Sequence, residues 1–168
     1  NPALNSVTRI NYLTGDTASV AVGITPQALV FTRGMVFVLN GNLTSGVPAG
    51  PSWVSVVDPE TNRLATGIDS ILLPGPGGAA SGVIASDGIL YVLNRGPADG
   101  SVSGRLSLVD PVAREELGGF GGFGGAPGAL AVVRVGDRRW AATTGTSKTS
   151  GPPVVATDTF RIASITKP

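Results

Sequence analysis

The sequence predicts an all-β fold, a β-propeller built of four-stranded antiparallel blades. Three observations predict it. Short alternating apolar runs are punctuated throughout by turn residues, with 25 Gly and 13 Pro in 168 residues, as a chain of many short strands requires. Asn or Asp heads a polar turn at positions 11, 58, 110 and 158, separations of 47, 52 and 48 residues. A second family of segments interleaves with these: an apolar strand, a tight turn, then a strand carrying an aromatic residue. Four strands in about 50 residues is the size of a propeller blade. One such sheet cannot bury both faces alone, so it must stack on others.

Taken in order, VTRINYLTG from Val7 reads as strand, turn at Asn11 and strand, a half blade over 6–24. ALVFTRGMVFVLNGN from Ala28 turns at Arg33-Gly34, and VSVVDPETN from Val54 turns at Asp58, giving a blade over about 28–68. GVIASDGILYVLNRG from Gly82 turns at Asp87-Gly88, the dipeptide that signals a hairpin between apolar runs. LSLVDPVAR from Leu106 then turns at Asp110, completing a blade over about 82–117. ALAVVRVGDRRWAATTG from Ala129 turns at Gly136-Asp137, and VVATDTFRI from Val154 turns at Asp158, a last blade over 129–166. Asp58, Asp110 and Asp158 recur once per unit, so each is read as a turn former whose carboxylate accepts backbone N–H groups two residues on. Phe37, Tyr91 and Trp140, with Trp53, are expected between blades in the core. About three and a half blades are too few for an ordinary ring, and no spare strands complete the first one. The chain is therefore expected to be part of a larger ring or complex, because bare sheet edges invite association.

Composition narrows the function. Charged residues make up 14% with a net charge of +1, which excludes nucleic-acid binding through a basic surface. There is no Cys and no His. Disulfides, thiolate nucleophiles, the commonest general base and the commonest transition-metal ligand are all missing, and no cofactor or metal is expected. No apolar run is long enough to span a membrane as a helix. The chain starts at Asn1 without Met and reads as a processed mature protein or a piece of a longer one. Low charge, abundant Gly, Ser and Thr, and no Cys fit an exported protein, periplasmic, cell-envelope or extracellular.

VFVLNGN, YVLNRG, VSVVDPETNRLATGI and LSLVDPVAREEL resemble the YVTN-type β-propeller repeats of bacterial exported proteins. The family pattern is roughly LYVxNxG followed by VSVIDxxTxxVxxxI. The resemblance runs from about Ser6 to Thr166 and loosens in the third unit, where WAATTG replaces the aromatic-Val-x-Asn strand. It implies a fold rather than an activity, since propellers host many. FRIASITK, near the C-terminus, resembles the Ser-x-x-Lys segment of penicillin-recognising serine hydrolases and class C β-lactamases. That resemblance implies Ser164 as nucleophile and Lys167 as its base. A nucleophile needs base, oxyanion donors and substrate walls together, and KTS at 148–150 precedes the serine instead of following it. The segment is therefore read as an outer strand, FRIASI aligned with RLATGI and REELGG.

Loops joining strands two and three, and those joining blades, emerge on one propeller face. Here they are the long ones, roughly 41–52, 96–104, 145–152, 70–81 and 118–128. The opposite turns are short, so the long-loop face is expected to bind, with Asn40, Asn42, Asn94 and Arg95 at strand ends as binding residues. Asn42-Leu43-Thr44 is a glycosylation sequon, meaningful in a eukaryotic secretory setting. GGFGGFGGAPG, from Gly118, lacks the following helix of a phosphate cradle and reads as a pliable connection anchored by Phe120 and Phe123. The expected function is a non-enzymatic interaction scaffold whose partner is another protein or further blades of the same one. The alternatives are a lyase- or lactonase-like propeller enzyme with a carboxylate and Asn channel site, and a fragment of a Ser-x-x-Lys hydrolase.

Overall fold

The computed structural model describes residues 1–135 and 138–144. Asp158, Ser164 and Lys167, and with them the second half of the last expected blade, lie outside the described residues. Among the described residues, regular structure is β apart from a 3-10 turn at Pro2–Leu4.

Strands β1 (Ser6–Ile10) and β2 (Thr17–Ala21) make a first sheet. Strands β3 (Pro26–Thr32) and β4 (Met35–Asn40) open the second. A small hairpin, β5 (Leu43–Thr44) with β6 (Val47–Pro48), stands in the loop that follows. Strand β7 (Ser52–Asp58) then pairs with β4, and a broken outer strand, β8 (Arg63–Leu64) and β9 (Ser70–Leu73), pairs with β7. The third sheet runs in chain order through β10 (Ala79–Ile84), β11 (Leu90–Asn94), β12 (Arg105–Asp110) and β13 (Glu115–Phe120). Strands β14 (Ala129–Val135) and β15 (Arg138–Thr144) pair as a fourth. Every ladder is antiparallel and none of these sheets closes on itself.

Alternation along β4 explains the stacking. Val36 and Val38 face Val20 and Val57, with Val7 and Val22 beside them. Met35, Phe37 and Leu39 point the other way, into a cluster with Val54, Val56, Ile71, Leu73, Leu90 and Val92. The second sheet is thus apolar on both faces and lies between the first and the third. Burial of side chains such as Phe37 and Leu39 contributes about 1.5–3 kcal/mol each. Phe37 and Tyr91 are buried as expected and Trp53 is half-buried.

The turns follow their residues. Arg33 and Gly34 both have positive φ, 53° and 75°, the two-residue hairpin geometry whose twist matches the flanking strands. At the next hairpin, Asp87 Oδ1 accepts from the Ile89 N–H at 3.0 Å, and the Tyr91 hydroxyl donates to Asp87 Oδ2 at 3.1 Å. The polar-turn heads act alike. Asn11 Oδ1 accepts from Leu13 N at 3.0 Å, Asp58 Oδ1 from Glu60 N at 2.8 Å, and Asp110 Oδ1 from Val112 N at 2.7 Å. Four residues after each head the backbone is left-handed, at Gly15, Asn62 and Arg114.

Strand boundaries differ from expectation in two places. Residues 70–73, expected in a loop, form β9, because Ile71 and Leu73 alternate into the core. The outer strand breaks at 66–68 and resumes, with Val56 N–H donating to Asp69 O at 2.8 Å. Gly118 and Gly119 likewise belong to β13, paired with Leu108 and Ser107.

Candidate binding face

The loops after β4 and β11 and the connections between sheets are tied into one surface by backbone hydrogen bonds. Gly41 N donates to Thr25 O at 2.9 Å and Asn42 N to Ile24 O at 3.0 Å. Gly78 N donates to Gly41 O at 3.0 Å, and Arg95 N and Gly96 N donate to Gly78 O and Gly77 O, each at 3.1 Å. Gly104 N reaches Gly124 O at 2.8 Å. Segments 22–25, 41–51, 74–78, 95–104 and 121–128 therefore share a face. Small residues permit this approach. A Cβ on Gly77 would lie 2.3 Å from Gly50 O.

The expected binding residues divide. Asn40 and Asn94, each fully buried, do not reach this surface. Asn40 Nδ2 donates to Val38 O, Trp53 O and Ser55 Oγ at 3.2, 3.1 and 3.0 Å. Asn94 Nδ2 donates to Ser107 Oγ at 2.9 Å. They are struts between the second and third strands of their sheets, and β-sheet stacking covers them. Asn42 and Arg95, one residue or two further on, do lie at the face, each half-buried. Asn42 has φ 51° and shapes its loop, with Nδ2 donating to Pro51 O at 3.0 Å. Beyond Arg95 stands Asp99, exposed, its Oδ1 accepting from Ser101 N at 2.9 Å. That backbone hydrogen bond, reinforced by the Ser101 hydroxyl, holds the Asp99 carboxyl below its usual range. Val47 and Val102 are exposed on the same loops, at 55% and 48%.

One polar cluster is not evident from the sequence. Arg105 forms an ion pair with Glu116 and donates to Ser107 Oγ at 2.5 Å. It stands opposite Asn94, where Trp53 stands opposite Asn40. Glu116, Arg105, Ser107 and Asn94 thus form one line of polar contacts from rim to interior. The signal available was the register itself: Arg105 replaces Trp53 in an otherwise matching strand. Among the described residues no group of three or more acidic side chains comes together to hold a metal ion. Among them, too, no helix is long and apolar enough to cross a membrane.

No family model matches the chain, and no curated protein matches it. Among solved structures it is similar to Kuenenia stuttgartiensis hydrazine synthase, with a TM-score of 0.61 and 20% identity, over 86% of this chain. It spans 41% of the length of that chain. At this identity the likeness concerns the fold, an all-β stack of antiparallel sheets. The expectation of a non-enzymatic chain is corrected by the same comparison, because the solved chain that shares the arrangement bears the name of an enzyme.

Proposed function

We propose that the stacked sheets are blades of a YVTN-type β-propeller in an exported or cell-envelope protein, and that this module holds a protein partner on its long-loop face. The observation that carries the reading is the asymmetry of the two faces. On one, short turns consume their own polar groups, as at Asn11, Asp58 and Asp110. On the other, long loops present Arg95, Asp99, Val47 and Val102 together. Arg95 is the one cation in segments 41–51, 74–78, 95–104 and 121–128, and Asp99 the one acid. A surface with a single charge of each sign among apolar and amide groups suits a folded protein, not a polyanion.

The likeness to an enzyme chain favours a second reading, in which the same face docks the module inside a larger enzyme. Both readings are tested by site-specific photo-crosslinking in cells of the source organism. A crosslinker at Ser101 is expected to capture a defined protein, or a neighbouring part of the same one, and a crosslinker at Glu60 on the turn face is not. Arg95→Glu is expected to abolish the Ser101 product. Equal capture from both faces would overturn the assignment of the binding face.

A further inference from the structure

Among the described residues the first sheet has two strands, β1 and β2, and three features on and beside it specify what would complete it. The first is backbone. Val22 N donates to Asn5 O and Asn11 N to Asp16 O, each at 2.8 Å, so in this register Val7 and Arg9 bond to β2 and alternation points the N–H and C=O groups of Thr8 and Ile10 outward. At Ser6 the outward groups are already engaged in a strand-like way. Ser6 N donates to Asn1 O at 3.3 Å, and the Asn1 amino group donates to Ser6 O at 2.7 Å.

The second is apolar surface. On β3, Leu29 and Phe31 stand opposite Val38 and Val36, so they continue the interface on which the first sheet already packs. Yet they are 57% and 68% exposed. Their counterparts on β10 are Gly82 and Ile84, opposite Val92 and Leu90. Those are covered: a Cβ on Gly82 would lie 2.7 Å from Leu39, and Ile84 packs on the core cluster. What covers them is the β3–β4 hairpin of the preceding sheet. Among the described residues, no such hairpin lies over Leu29 and Phe31.

The third is a side chain. Counting back from the turn heads, Thr8 holds the position of Ser55 and Ser107. Both of those accept a hydrogen bond from the Asn that ends the neighbouring strand. Thr8 Oγ1 instead shares an exposed hydrogen bond with Ser19 Oγ, 2.8 Å.

We infer that the β1 edge is a docking site for a β-hairpin of the β3–β4 kind, supplied by polypeptide outside the described residues. Its outer strand pairs antiparallel with Thr8 and Ile10. Its apolar face covers Leu29 and Phe31. Its terminal Asn donates to Thr8 Oγ1 and displaces Asn1 from Ser6. This rests on the propeller reading above, since it takes the sheets as equivalent units.

The test fuses a second copy of residues 79–95 ahead of Asn1 in the 168-residue chain, through a flexible Gly/Ser linker of about 10 residues, which holds it at roughly millimolar effective concentration. Hydrogen exchange is then read at the Thr8 and Ile10 amides, with binding of an apolar dye reporting Leu29 and Phe31. Protection of both amides by at least about tenfold and loss of dye binding are expected. Asn94→Leu in the fused copy, or Thr8→Val in the chain, is expected to reduce the protection severalfold, and the two together no further. Protection that ignores both substitutions would overturn the Asn–Thr8 contact and leave the propeller reading standing. No protection at either amide would overturn both, because equivalent sheets must accept an equivalent hairpin. Protection of Thr8 and Ile10 in the unfused chain that grows with its concentration would assign the edge to a second copy instead.

Discussion

Asn40 offers the sharpest division between a strut and a ligand-binding residue. In Asn40→Leu the side chain keeps its volume and loses its polar atoms. Its Nδ2 has two hydrogens for three acceptors, at 3.0 to 3.2 Å, so about two hydrogen bonds are lost, near 1 kcal/mol each. Buried Ser55 then loses its amide partner, costing about 1 kcal/mol more. Against this, Asn40 Oδ1 is buried with no partner among the described residues, and removing it recovers about 1 kcal/mol. The net expectation is a loss of about 2 kcal/mol. With a urea slope of about 2 kcal/mol/M, the unfolding midpoint falls by about 1 M. Asn40→Asp should be worse, because it sets a carboxylate against the Val38 and Trp53 carbonyls with no donor left to offer. Its expected cost is on the order of 4 kcal/mol. The assay is urea unfolding followed by tryptophan fluorescence. An Asn40→Leu midpoint equal to or above that of the wild type would refute the reasoning and return Asn40 to the candidate site, since residues kept for binding often reduce stability.

Gly23→Ala should destabilise by about 2 kcal/mol, because the added carbon would stand 2.3 Å from Trp53 Nε1 and 2.6 Å from Asn40 Cγ. An unchanged thermal midpoint would mean that Trp53 swings away freely. The Glu60 backbone N–H, then the Thr61 hydroxyl, hold the Asp58 carboxyl below its usual value of 3.8. A depressed folded-state pKa contributes stability that is full above that usual value and is lost as pH falls through the folded one. Asp58→Asn keeps the Oδ1 acceptor without the charge. Its urea midpoint should therefore lie below that of the wild type at neutral pH and converge on it as pH falls through the folded-state value; a difference that persisted in acid would refute this account.

Much of the fold was legible because its signals are local. Arg33-Gly34 and Asp87-Gly88 announce hairpins through backbone preference, and Asp58 and Asp110 announce turns through a hydrogen bond spanning two residues. The outer strands were harder to read. Residues 66–68 interrupt the alternation before β9, and the glycines of β13 read as loop because only pairing across the sheet makes them strand. The candidate site was less legible still. Asn40 and Asn94 are polar residues at strand ends, and composition alone places such residues in solvent. Their burial comes from the neighbouring sheet, which no local pattern encodes. The Arg105–Glu116 pair is hidden for the same reason, since its partners are set by register across β12 and β13.

Each ladder in the stack joins strands that are neighbours or near neighbours along the chain, with β5–β6 between β4 and β7 and β8 between β7 and β9. Pairing therefore closes short loops, whose entropic cost is small, and the folding rate should exceed that of Greek-key sandwiches of similar size. Nucleation is best served at the second sheet, where Phe37 and Leu39 meet Val54 and Val56 with little intervening chain. Growth can then proceed outward one sheet at a time, and unfolding can retrace it from the least covered end. Native-state amide exchange should fall along this order, slowest in β4 and β7 and fastest in β1 and β2. Local openings in the native state would then follow the row of sheets, each unit coupled to its neighbours.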